Sequence, residues 1–192
     1  MKSGFGLSDK PEISISRGAK LRSGLKLKGR FQLECRDKNG KLKWTEDIHN
    51  IITNEGLDHI LNVILHGTSA IATWYCVMSE TNTAPAAGLT YAVPSFTELQ
   101  AYDEATRPAY VEAAASGQSI TNSANKAVFT INDTKTLYGA ALVGGGTDGN
   151  TKGDTAGGGT LLCYALFSSS RAVVNDDVVN LTYTLGAADD GV

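Results

Sequence analysis

The chain has 192 residues, with 21 glycines, four prolines, three cysteines and 19% charged residues. A chain of that length forms one ordinary domain with a core of its own, so folding requires neither disulfides nor a metal. The net charge of −3 hides an asymmetry: residues 1–50 hold twelve Lys and Arg against six Asp and Glu, while residues 51–192 hold five against fourteen. A basic front and an acidic body attract each other, within one chain or between neighbours.

The opening Met1-Lys2-Ser3-Gly4-Phe5-Gly6 lacks the apolar run of a secretory signal. No apolar stretch reaches the length of a membrane span, so no membrane is expected as partner. Residues 1–28 read as an extended basic N-terminal arm, followed by a domain over residues 29–192. In the arm Lys10, Arg17, Lys20, Arg22, Lys26 and Lys28 are interleaved with Gly and Ser. With few large apolar groups it cannot offset its own ordering entropy, so it is expected to order only against a partner. Partner contact is expected from Lys20, Arg22, Lys26, Lys28 and Arg30.

Phe31, Leu33 and Cys35 alternate with Arg30, Gln32 and Glu34, the pattern of a half-buried strand. Asp37-Lys38-Asn39-Gly40 is a turn, and Leu42 and Trp44 mark the returning strand. The period then changes. Leu57, Ile60, Leu61, Ile64 and Leu65 fall on one face of a helix over about 54–66, with Thr53 or Asn54 as N-cap and Gly67 at its end.

Beyond Ala70 the signals are β. Strands are expected at Ile71–Met78, Ala109–Ala114, Lys126–Asn132, Thr136–Val143, Leu161–Phe167, Ala172–Val174 and Val178–Leu185, with a helical turn near Ser95–Ala101. A 16-residue loop with eight glycines, Gly144–Gly159, is expected to be exposed and mobile. Many short strands and one helix predict a mainly β chain, a jelly-roll-like β-sandwich with one inserted amphipathic helix.

Motifs for catalysis are sparse. His59 and His66 lie two helical turns apart, about 10 Å, too far to share one metal ion. The glycine-rich loop lacks the Gly-Lys-Ser/Thr that opens a helix in a phosphate-binding loop. Asp148, Asn150 and Asp154 lack the closing Glu of an EF-hand. Asp103 and Glu104 precede Arg107, whose expected task is to tie its loop to an acid or to backbone carbonyls. No nucleophile elbow occurs. These observations lead to no enzyme, no cofactor and no metal. Cys35, Cys76 and Cys163 sit in apolar runs and are expected as buried free thiols. Asn132-Asp133-Thr134 and Asn180-Leu181-Thr182 match the glycosylation sequon by chance in a chain without a signal peptide. The basic arm could neutralise phosphates, but it carries one aromatic, Phe5, and the acidic body would repel a nucleic acid, so none is expected.

Several stretches resemble a family of small virion proteins of tailed phages, encoded close to the major capsid protein. They are Gly29 with Phe31, Asp37-Lys38-Asn39-Gly40-Lys41-Leu42-Lys43-Trp44, and Asn50-Ile51-Ile52-Thr53-Asn54-Glu55-Gly56-Leu57-Asp58-His59-Ile60-Leu61. Thr73-Trp74-Tyr75, Tyr102 to Tyr110 and Phe167 to Tyr183 continue the pattern, with Arg171, Val173 and Asp177 inside the last. The resemblance spans roughly residues 29–185 and rests on core and turn positions. It implies a capsid cement or decoration protein that docks on the major capsid protein as a dimer or trimer, at the virion surface, after synthesis in the host cytoplasm. The segment before Gly29 would then be the clamp, and the glycine-rich stretch at 144–159 is a departure from the pattern. A tail- or fibre-associated location stays open, in which Trp74, Tyr75 or Tyr91 would stack on a host surface glycan.

Overall fold

Phe31, Leu33 and Cys35 do point inward, from the strand β1 (Leu25–Arg36), and each is almost wholly buried. They belong to a computed structural model that describes residues 24–189. β1 pairs along its whole length with β10 (Val178–Asp189), so that Phe31 lies opposite Tyr183, Leu33 opposite Leu181 and Cys35 opposite Val179. Burial of each such apolar side chain favours the fold by about 1.5–3 kcal/mol over exposure.

Around this pair the expected β-sandwich is built from two antiparallel sheets. The first runs β2 (Leu42–His49), β1, β10 and β6 (Ser119–Thr121), with β7 (Ala127–Thr130) also on β10. The second runs β3 (Ile51–Ile52), β9 (Gly159–Val173), β8 (Lys135–Gly145), β4 (Trp74–Ser79) and β5 (Ala109–Tyr110). The turn between β1 and β2 closes as its sequence predicts. Asp37 accepts from the N–H groups of Asn39 and Lys41 at 2.9 and 3.0 Å, and Gly40 takes φ +79°.

The one helix, α1 (Asn54–Leu65), begins at Thr53, whose Oγ1 accepts from Gly56 N at 3.0 Å. Gly67 ends it in the left-handed region at φ +72°. Gly56 is where α1 meets β9: a Cβ there would lie 2.9 Å from Leu162 Cα. Glu55 locks the contact by accepting from Leu161 N at 2.7 Å and Tyr91 N at 2.8 Å.

Five expectations change. β1 begins at Leu25, so residues 25–28, placed in the arm from their charges, are strand. The two segments 161–167 and 172–174 are one strand, β9, and Ala109–Ala114 shrinks to two paired residues. Residues 95–101 form no helical turn. Leu99 is fully buried and its N–H bonds to Met78 O at 2.8 Å, which holds the segment beside β4. Lastly, the glycine-rich stretch is exposed over most of its length, as expected, but it is not wholly loop. Its ends extend β8 and β9, and the residues between them are bonded to the body, as described next.

Candidate functional site

Lys and Arg residues decide what this surface can bind, and most are already engaged. Arg30 forms a bidentate ion pair with Asp47 on β2. Arg36 pairs with Glu34 at 2.6 Å, Lys43 with the buried Asp177, and Arg171 with the buried Glu46. Lys38, Lys41 and Lys126 are exposed without an ion pair to another described residue, and so are Lys26 and Lys28. The last two stand on the outward face of β1. Of the five expected contact residues, Lys20 and Arg22 lie outside the described residues. Lys26 and Lys28 form an outward basic row, and Arg30 continues that row but is held by its own sheet.

Arg107 is the most enclosed cation. Its Nε donates to Glu98 Oε1 at 2.9 Å and its Nη2 to Glu98 Oε2 at 2.6 Å. Nη1 donates to Tyr91 Oη at 3.0 Å and Gly149 O at 2.9 Å, and Nη2 also reaches Asp154 O at 2.6 Å. Burial opposes the charge on Arg107, yet the Glu98 carboxylate and the Tyr91 hydroxyl hold its pKa above the ordinary arginine value. Gly153 N donates to Glu98 at 3.1 Å, Tyr91 Oη to Asp154 at 2.7 Å, and Lys152 to Tyr102 O at 2.6 Å. The expected task of Arg107 is thus met, since it ties its own connection to the acid Glu98, and its further bonds to Gly149 O and Asp154 O brace the loop between β8 and β9 as well. A cleft of about 190 Å³ beside it is lined by Phe96, Glu98, Arg107 and Asp154. The acids at 103–104 serve structure too, since Glu104 accepts from Thr130 N at 3.0 Å and Asp103 from Asn132 at 3.1 Å.

The helix carries its expected apolar face, and its own sheet covers only part of it. Gly56 faces β9 and Ile60 packs on the core, but Leu61, Ile64 and Leu65 are 54, 68 and 79% exposed. The apolar arc of α1 is wider than the sheet beneath it can cover. Between the helix and the strand ends of β4, β6 and β10 lies an open apolar groove of about 310 Å³, lined by Ile60, Val63, Ile71, Trp74, Ile120 and Leu185. Trp74 is half-buried there, with His59 edge-on at 5.5 Å between ring centroids. Tyr91, by contrast, is buried.

Cys35, Cys76 and Cys163 are free and buried, as expected. Burial pushes the Cys35 and Cys163 thiols up to about 12, and raises Cys76 further. Among the described residues no group of three or more His, Cys, Asp or Glu could hold a metal ion. No helix among them is long and apolar enough to cross a membrane. Comparison of the chain with protein-family models and with curated proteins finds no match.

Proposed function

We propose that the chain is a non-enzymatic structural protein of a tailed-phage virion, a capsid cement or decoration protein bound to the outside of the major capsid protein shell. The observation that carries this reading is the start of β1. The leading residues, with five Lys and Arg up to Arg22, pass directly into a strand whose outward row is Lys26 and Lys28. Arg36, Lys43, Arg107 and Arg171 are spent on carboxylates of the same chain, while Lys38, Lys41 and Lys126 are exposed without an ion pair to another described residue, so the leading segment is singled out by the density of positive charge in its sequence. Its complement is an acidic protein surface. The resemblance of residues 29–185 to small virion proteins points to the same partner.

The mechanism is additive. Contacts from the sandwich position the subunit, and the basic segment then binds at a high effective concentration, so that weak contacts reinforce each other. Charge attraction between exposed groups weakens as salt rises. The test removes residues 1–23, which leaves β1 whole, and measures occupancy of purified shells across a salt series. Occupancy is expected to drop and to lose much of its salt dependence. Full occupancy with an unaltered salt response would dismiss the clamp.

One observation favours the tail-associated reading: Trp74 lines an open groove, where an indole could stack on a sugar ring. Tyr91 cannot assist, because its hydroxyl and ring are enclosed. Imaging virions that carry a labelled copy separates the two, since the label lies on the head in one reading and on the tail in the other.

A further inference from the structure

We infer that α1 forms a two-fold interface with a second copy of this chain, each helix laying its exposed apolar ridge into the groove beside the other. At about 100° per residue, Val63, Ile60 and Ile64 follow one another around α1 on the groove side, and Leu57, Leu61 and Leu65 continue the arc away from it. Ridge and groove therefore adjoin on one helix, sharing Ile64. A surface that offers both an apolar projection and an apolar recess of similar size is complementary to itself, which is the requirement of a two-fold interface.

Size fits the same occupant. The exposed parts of Leu57, Leu61, Ile64 and Leu65 amount to roughly 400 Å², the size of the largest apolar patch on an ordinary monomer, which is often a contact surface. Counted on both copies with the groove lip and a polar rim, the buried surface reaches the ~1,000 Å² that a specific interface needs. A two-fold axis across the helix sets the two copies of α1 antiparallel. The axis then passes near Leu61, with Leu57 of one copy opposite Leu65 of the other.

The inference supplies the surface for the self-association that the decoration reading includes, and it is read on isolated protein, so it stands or falls apart from shell binding. Sedimentation of the full chain over a micromolar concentration series is expected to show a dimer. Leu61→Asp should weaken that dimer about 100-fold or more, with unchanged circular dichroism, because Leu61 is exposed in a single copy. As a second variant, Leu61→Cys places one accessible thiol at the axis while the three native thiols stay buried. Mild oxidation should link it into a disulfide dimer, which Leu42→Cys, exposed elsewhere, should not form. A full chain that stays monomeric throughout overturns the inference, as does a dimer that Leu61→Asp leaves intact or Leu61→Cys fails to link. A monomer that dimerises only once residues 1–23 are removed also overturns it, and assigns the groove to that segment.

Discussion

Arg107 grips Glu98 through two nitrogens, Nε and Nη2, while neither side chain is more than 8% exposed. A pair so enclosed is costly to break, because the survivor stays buried as an uncompensated charge. Arg107→Met should therefore cost about 3–5 kcal/mol of stability in urea denaturation. The double variant Arg107→Met with Glu98→Leu should regain much of that, since two apolar groups replace the pair. It should not restore the loop, whose carbonyls at Gly149 and Asp154 have lost their donor. Trypsin reports this directly, with cleavage after Lys152 in both variants and protection of the native chain. Equal protection in the double variant would show that Arg107 is not what holds the loop.

Gly29 shows a second close fit. A Cβ built there would fall against Asn50 Oδ1 and the Tyr183 hydroxyl, and 2.7 Å from Asn50 Cγ. Its backbone is not in the left-handed region, so the constraint is steric rather than conformational. Gly29→Ala is expected to cost about 1–3 kcal/mol by overpacking. Adding Asn50→Ala, which empties the colliding space, should return part of the loss. At Gly40 the reason is reversed: nothing lies near its Cβ position, but φ is +79°. Gly40→Ala should cost about 1–2 kcal/mol with no second-site remedy. Urea midpoints for the four proteins check both statements.

How much of this was legible from residues alone differs by element. Period two at Phe31, Leu33 and Cys35, the Asn39-Gly40 turn and the Thr53 cap are local chemistry, and each formed where expected. Leu25 and Leu27 continue the same alternation into β1, but the charges of Lys26 and Lys28 between them mask it, because they match the basic segment before them. β6 is three residues long, too short to impose a pattern. The bracing of the glycine-rich loop was half visible. Arg107 suggested a tie, but its partners Gly149 and Asp154 lie more than forty residues on, and no spacing rule joins them. The helix is the most instructive case. Periodicity at Leu57, Ile60, Leu61, Ile64 and Leu65 reports that one face is apolar, and does not say whether its own sheet or another surface covers it.

The cysteines give a prediction about alkaline pH. In the fold, burial raises the Cys35 and Cys163 thiols from 9.0 to about 12, so an unfolded chain ionises them first. Their contribution to stability is whole below pH 9.0 and is lost as pH rises from there towards 12, at up to about 1.4 kcal/mol per pH unit for each thiol. Buried Tyr110 and Tyr183, raised by the same cause, act in the same direction. The urea midpoint should accordingly fall between neutral pH and roughly pH 10, with a slope that steepens upward. Iodoacetamide supplies an independent check on the burial behind it. Native protein at neutral pH should take up no label over hours, while the urea-unfolded chain takes up three per molecule by mass spectrometry. Labelling of the native state at the unfolded rate would mean that the thiols are open to water, and the alkaline loss would then need another cause.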